Sequence, residues 1–105
     1  MEISFKNEKL KKLCEDYHDL SREYGNKQAE KIMQRIRELQ AFENLYDASK
    51  LPQLKLHPLK GNYSGCFAVN LIQPYRMIFE PLNGAVADYT TITKIKIIEP
   101  RTDYH

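Results

Sequence analysis

The chain has 105 residues, of which 42% are hydrophobic and 29% are charged. This length and composition are typical of one globular domain with a small core, and they exclude a disordered chain. Sixteen lysines and arginines against fourteen acidic residues leave a net charge of +2, too small to indicate a nucleic-acid binder by itself. We therefore expect a single domain over residues 1–105 whose function depends on a local site.

The N-terminus and the cysteines indicate the compartment. The segment Met1–Lys6 has no signal-peptide core, and no apolar run reaches the length of a membrane span. We therefore expect a cytoplasmic protein with no membrane partner. Cys14 and Cys66 are far apart and have no metal-ligand or redox spacing. Two buried, reduced thiols are expected, with a disulfide as the less favoured alternative.

The first half of the chain shows a short strand followed by helical periodicity. Residues 2–6 alternate polar and apolar, which predicts a strand. Apolar residues at spacings of three and four predict a helix from Lys9 to about Arg22, with Asn7 as its N-cap. After a break at Tyr24-Gly25-Asn26, the same spacing predicts a second helix from about Lys27 to Leu45. The two helices should form a hairpin that also packs on a sheet.

The second half of the chain changes to β periodicity after a predicted loop over Asp47–Pro52. Gln73-Pro74 suits a tight reversal, and Asn83-Gly84 is a strong turn dipeptide. The short connections favour an antiparallel sheet with both helices on one face, which is an α+β fold. The four predicted strands are Leu54–Leu59, Cys66–Gln73, Tyr75–Pro81 and Thr91–Glu99.

Seven polar residues of the predicted sheet and its ends are candidates for a site. Each also has a structural explanation, such as a strand end and turn for His57-Pro58, or a frayed tail for the last two residues. Arg76 stands in an otherwise apolar strand, where it must reach solvent, bind an anion or pair with a carboxylate such as Glu80. The candidates are His57, Lys60, Arg76, Lys94, Lys96, Tyr104 and His105.

These residue types match the needs of metal-independent RNA cleavage. A general base removes the 2′-hydroxyl proton, cations stabilise the phosphorane, and a general acid protonates the leaving 5′-oxygen. His57 and His105 can transfer protons, while Lys60 and Arg76 can stabilise the phosphate charge. The sequence shows no zinc-ligand spacing and no glycine-rich phosphate loop, so no metal or cofactor is expected.

Three motifs carry a resemblance to a known family. Leu56–Gly61 (Leu-His-Pro-Leu-Lys-Gly), Arg76–Pro81 and the terminal Asp103-Tyr104-His105 resemble the plasmid-maintenance killer toxins, the HigB-like branch of the RelE/ParE toxin superfamily. The resemblance covers nearly the whole chain. It implies a RelE/ParE-like fold, with two N-terminal helices packed on one face of a small, mainly antiparallel β-sheet. One departure is Cys66-Phe67, which stand where many relatives have a tryptophan.

The resemblance also implies a function and its partners. It implies a toxin of a type II toxin–antitoxin system that enters the ribosomal A site and cleaves messenger RNA there, which stops translation. The implied partners are the ribosome, mRNA and a HigA-like helix-turn-helix antitoxin, through which operator DNA is contacted indirectly. By matched position, the resemblance makes His105 the leading proton-transfer residue, His57 the second, Tyr104 an orienting donor, and Lys60 and Arg76 phosphate stabilisers. Lys94 and Lys96 are predicted to add RNA contacts.

Two other functions stay open from the sequence. A toxin of this fold can poison another target such as DNA gyrase, and those relatives need no catalytic histidine. A non-catalytic relative can bind its antitoxin without cleaving RNA. The presence of both His57 and His105 favours the nuclease over the gyrase poison.

Overall fold

The computed structural model describes residues 1–103 of the chain. Its α-helices are α1 (Glu8–Glu15), α2 (Tyr17–Tyr24), α3 (Asn26–Ala41) and α4 (Leu45–Ser49). Its strands are β1 (Glu2–Phe5), β2 (His57–Pro58), β3 (Phe67–Asn70), β4 (Tyr75–Pro81) and β5 (Lys94–Asp103). The fold is therefore α+β, as predicted, with a different division of the helices.

The prediction of one continuous first helix is wrong, because the structure has two helices there, separated at Asp16. Asp16 has extended backbone, and its carboxylate accepts hydrogen bonds from the backbone amides of His18 and Asp19. A side chain that satisfies these otherwise unpaired amides starts a new helix at that point. Asn7 caps α1 as predicted, because its side chain accepts from the Leu10 amide at 2.8 Å.

The predicted second helix is also wrong past Ala41. Phe42 has extended backbone and ends α3, and Asn44 then accepts from the Asp47 amide at 2.9 Å. This second side-chain cap begins α4 at Leu45, where the predicted helix was to end, and α4 extends to Ser49 into the segment that was predicted to be a loop. Residues 1–103 thus contain four α-helices in place of the predicted two, and both extra boundaries are set by capping side chains.

The five strands form one mixed sheet in the order β1-β5-β4-β3-β2. Strands β2 to β5 pair antiparallel, as predicted, and the turn around Gln73-Pro74 reverses the chain between β3 and β4. Strand β1 adds to the edge in parallel with β5, in register from Glu2 opposite Lys94 to Phe5 opposite Ile97. The sheet is therefore mainly antiparallel with one parallel edge strand.

The bounds of β2, β3 and β5 differ from the prediction. The predicted strand Cys66–Gln73 shortens to Phe67–Asn70, and β5 begins at Lys94 because Tyr89–Thr91 form a 3₁₀ helix. The predicted strand from Leu54 shortens to His57–Pro58, because Leu54 ends a short 3₁₀ helix and Lys55 takes a left-handed backbone with φ 47°. Strand β4 has the predicted bounds. Strand β5 continues past Glu99 to Asp103, with irregular register against β4 on both sides of Ile78. Such bulges re-aim side chains locally.

The two faces of the sheet have different neighbours. The helices cover one face and bury the main core, in which Leu20, Ile32 and Leu39 pack with Met77 and Phe79. We call the opposite surface the open face; it carries Ala68, Arg76 and Ile78 by the alternation of the strands. Tyr75, Met77 and Phe79 of β4 point towards the helices.

Two further sequence-based expectations concern the thiols and membrane insertion. Cys14 and Cys66 are both buried and free, as predicted. Among residues 1–103, no helix combines the length and the apolar character that a membrane span requires.

Candidate active site

The open face brings His57 and Arg76 together at one end of the sheet. His57 lies opposite Ala68 on β3, and Arg76 lies opposite Asn70, two positions further along the same strand. Both side chains are half-buried. Arg76 Nη1 is 3.4 Å from His57 Nε2. Two residues that were predicted separately thus form one cluster, across the intervening strand β3.

The hydrogen bonds of His57 define its neutral tautomer. Nδ1 is 2.8 Å from the Lys55 carbonyl oxygen, which can only accept, so Nδ1 carries the hydrogen and donates. Nε2 then accepts from Arg76 Nη1. The left-handed backbone of Lys55 presents its carbonyl to the ring two residues later. This arrangement leaves Nε2 as the ring atom that can take up a proton.

Asn70 is a third polar residue beside this cluster, and it was not predicted from the sequence. Only 7% of the residue is exposed, and its side-chain Oδ1 is buried without a hydrogen-bond partner among residues 1–103. Leaving such an acceptor unpaired costs about 1–3 kcal/mol, so it requires an explanation. The available signal was a polar residue inside the apolar run Phe67–Leu71.

Two side chains of helix α3 form hydrogen bonds with the backbone near the site. Arg35 is only 4% exposed and donates from Nε to the Asn70 carbonyl at 2.7 Å and from Nη2 to the Gln53 carbonyl at 3.3 Å. The Gln28 amide group both donates to and accepts from the backbone of Ile72. The helix therefore fixes the backbone just before the turn that leads to Arg76.

The predicted RNA contacts Lys94 and Lys96 lie away from this cluster. Lys96 Nζ is 2.8 Å from the Glu80 carboxylate, and Lys94 Nζ is 3.4 Å from that of Glu2. Glu80 follows Arg76 by four residues, which is about 13 Å along a strand. Glu80 thus pairs with Lys96, and the predicted alternative of an Arg76–Glu80 ion pair is not formed. The RNA-binding role of the two lysines stays a prediction.

The remaining predicted residues lie at the ends of the cluster or beyond the described chain. Lys60 is exposed and immediately precedes a short 3₁₀ helix, Gly61–Tyr63, three positions after His57. Tyr104 and His105 lie outside the described residues, so their predicted roles stay predictions. The described part of β5 places Thr102 opposite Arg76.

The two thiols are poorly suited to act as nucleophiles. Burial, with a smaller contribution from Glu15, raises the pKa of the Cys14 thiol to about 12. Burial and then the charge of Glu80 raise the pKa of Cys66, which lies on the open face. Because the thiolate is the reactive form, both cysteines are chemically quiet at neutral pH.

Comparisons with known proteins agree with the motifs. The sequence model of the HigB-like toxin family, described as a RelE-like toxin of the type II toxin–antitoxin system HigB, matches residues 3–92. The chain belongs to the HigB-like toxin family. A comparison with curated proteins gives no match. Among solved structures, a YoeB/ParE toxin from Agrobacterium tumefaciens is similar in fold, with a TM-score of 0.55 and 18% identity over 100% of both chains.

Membership of the HigB-like toxins confirms the predicted resemblance and implies an antitoxin partner. The matched range includes His57, Lys60 and Arg76 and stops just before β5. In this HigB-like toxin, the described site therefore lies within the matched part of the chain. The likeness to the YoeB/ParE toxin supports the fold alone.

Proposed function

We propose that this toxin is a ribosome-dependent mRNA endoribonuclease that cleaves the phosphodiester bond without a metal ion. The observation that carries the proposal is the contact between His57 and Arg76 on the open face. A fixed cation beside a ring nitrogen that can accept a proton provides two of the three groups that such cleavage needs. Because the chain belongs to a family of toxins, we propose mRNA on the ribosome as its cellular target.

Arg76 and His57 would act in sequence. The planar guanidinium of Arg76 binds two oxygens of the scissile phosphate, since this is the geometry that arginine prefers. In the free protein, Arg76 Nη1 points at His57 Nε2. When the phosphate draws the guanidinium away, Nε2 becomes available to the 2′-hydroxyl of the RNA. Substrate binding and activation of the base are then coupled.

The proposed chemical step transfers the phosphate from the 5′-oxygen to the 2′-oxygen of the neighbouring ribose. His57 Nε2 takes the 2′-hydroxyl proton while the 2′-oxygen forms a bond to phosphorus. The bond from phosphorus to the 5′-oxygen breaks, and a general acid protonates that oxygen. We propose His105 for this proton, with Tyr104 as an orienting donor, because the terminal Asp103-Tyr104-His105 resembles the motif of the toxins. The products are a 2′,3′-cyclic phosphate and a free 5′-hydroxyl.

The charge of the chain and its family support the proposed partners. A net charge of +2 gives only weak general attraction to RNA, so the ribosomal A site would present the substrate. Lys60, Lys94 and Lys96 would add phosphate contacts. A HigA-like helix-turn-helix antitoxin would neutralise the toxin and link it to operator DNA, and the site of action would be the cytoplasm.

Induced expression in bacteria, followed by mapping of mRNA 5′ ends, tests the proposal. The expected result is growth arrest with new 5′ ends inside translated coding sequences, and neither effect with Arg76→Ala. The matched control is Arg37→Ala, which changes an exposed arginine on α3. A DNA-damage response with translation intact would contradict the proposal and favour a gyrase poison. Normal growth would instead indicate a non-catalytic relative.

A further inference from the structure

Arg101 is the middle layer of an aromatic stack with Tyr24 and Tyr75. Its guanidinium carbon lies 4.0 Å from the ring centre of Tyr75 and 4.8 Å from that of Tyr24. Both distances are within the range of about 6 Å over which the face of an aromatic ring attracts a cation. Tyr24 ends α2, Tyr75 begins β4, and Arg101 belongs to β5. One side chain thus joins three elements of the fold.

The charge of Arg101 is held by these rings and not by a carboxylate. Its Nε atom is buried without a hydrogen-bond partner among residues 1–103, and the ion pairs of that range do not include it. A half-buried arginine more commonly pairs with a carboxylate or binds carbonyl oxygens, as Arg35 does. Because a guanidinium is flat, contact with a ring on each face fixes its plane.

The stack is adjacent to Arg76 on two strands. Tyr75 directly precedes Arg76 on β4, and Arg101 directly precedes Thr102, the β5 residue opposite Arg76. Tyr24 and Tyr75 pack with the main core, whereas Arg76 lies on the open face. The register of β4 against β5 shifts immediately after this point, so the regular ladder is interrupted there. The stack therefore connects the two strands on the helix side, where their backbone pairing is irregular.

We propose that Arg101 is a positioning residue, which holds Tyr24 and Tyr75 together and thereby orients Arg76 towards the scissile phosphate. The inference rests on the proposed function and extends it, since it gives Arg76 a support on the opposite side of the sheet. A displacement of a fraction of an ångström at a reacting centre is enough to slow catalysis. Loss of the stack should therefore lower the rate of the chemical step and leave binding of the ribosome intact.

Single-turnover cleavage of mRNA on programmed ribosomes separates these two quantities. Arg101→Lys keeps the positive charge but lacks the flat guanidinium that contacts both rings. At saturating toxin, the variant should cleave about tenfold more slowly than the wild type. The toxin concentration that gives half of the maximal rate should change by less than about twofold. Arg37→Lys, an exposed arginine of α3, is the matched control and should change neither quantity.

Variants of Tyr24 test the same stack from α2. Tyr24→Leu removes one ring and should also lower the saturating rate, whereas Tyr24→Phe keeps the ring and should cleave at nearly the wild-type rate. Arg101→Lys combined with Tyr24→Leu should be no slower than the slower single variant, because both changes break one stack. Amide hydrogen exchange of residues 75–78 should be faster in Arg101→Lys, and this measurement does not depend on activity.

The outcomes distinguish this inference from the proposed function. It is overturned if Arg101→Lys cleaves at the wild-type saturating rate, or if the losses in the double variant are additive. A higher half-saturating concentration at an unchanged maximal rate also overturns it and makes Arg101 an RNA contact. If Arg101→Lys does not fold, equal rates of Tyr24→Leu and Tyr24→Phe overturn it. If the wild type cleaves nothing, the proposed function fails, and the inference fails with it.

Discussion

Arg76 Nη1 and His57 Nε2 lie 3.4 Å apart, although nineteen positions separate the two residues in the chain. The contact crosses β3 and exists because β2, β3 and β4 pair antiparallel in a fixed register. His57 comes from a strand of only two residues, held by its pairing with Phe67 and Ala68. A short edge strand thus supplies one residue of the candidate site, and the long central strand β4 supplies the other.

Replacing His57 should remove catalysis and keep the fold. Glutamine can make neutral hydrogen bonds but cannot take up a proton, so His57→Gln should lower the cleavage rate by about 10²–10⁴-fold. His18→Gln is the matched control, because His18 is exposed on α2. The measurement is single-turnover cleavage of ribosome-bound mRNA. A His57→Gln rate close to that of the wild type would show that another group is the base.

Arg35 should be one of the most important side chains for stability. It donates to the carbonyls of Asn70 and Gln53 and pairs with Glu38 at 2.8 Å. Arg35→Leu leaves these buried acceptors without a donor and should lower the free energy of unfolding by about 2–5 kcal/mol. Arg37→Leu on the exposed side of α3 should change it by less than about 0.5 kcal/mol. Equal urea midpoints for the two variants would refute this role of Arg35.

Much of the sheet could be predicted from the sequence, because its strands follow a strict alternation. The bounds of β4 and the opposite sides of Met77 and Arg76 follow directly from a period of two. The helix boundaries at Asp16 and Asn44 could not be predicted, since the apolar stripe continues through both caps. A helix cap depends on a single side chain that hydrogen-bonds to the backbone. A periodicity averaged over many residues does not detect such a bond.

The site could be predicted only in part. His57 and Arg76 stand out as ionisable residues near or within apolar strands, and their family motifs support the choice. Asn70 is neutral and short, and only its three-dimensional surroundings show that its oxygen is buried with no hydrogen-bond partner in the described part of the chain. Arg35 reads as part of a polar helix face, yet it is buried because its long side chain reaches carbonyls from two distant segments.

The break between α1 and α2 should depend on the cap at Asp16. Its carboxylate accepts from two backbone amides at the start of α2. Asp16→Ala removes both bonds and should lower the free energy of unfolding by about 1 kcal/mol. Asp16→Asn keeps an acceptor oxygen and should lose clearly less. Chemical denaturation measures both effects, and equal losses would mean that the cap contributes little.

The free energy of unfolding should fall at alkaline pH because the thiol of Cys14 is buried. Burial raises its pKa to about 12, whereas a thiol in the unfolded chain ionises at about pH 8.5. Above that pH the unfolded chain releases a proton that the folded chain keeps, so the free energy of unfolding falls as the pH rises. The slope due to Cys14 approaches about 1.4 kcal/mol per pH unit before the folded thiol itself ionises.

Cys14→Ala tests this origin of the slope. The variant should be less stable near neutral pH, because a buried side chain is truncated, but its stability should fall less steeply above about pH 9. Part of the fall should remain, since burial also raises the pKa of Tyr24. Urea unfolding from about pH 8 to pH 11 gives both slopes. Parallel curves for the two proteins would assign the alkaline loss to other groups.

The most direct test of the proposed activity is cleavage of a defined mRNA by the purified chain on programmed ribosomes, with 5′-end mapping. The wild-type chain should cut within the codon in the A site and leave free RNA intact. Arg76→Ala should lower the rate by at least about 100-fold, because the charge that develops on the phosphorane loses its cation. Intact mRNA with the wild type, or an unchanged rate with Arg76→Ala, would contradict the assignment of this site as a ribonuclease centre.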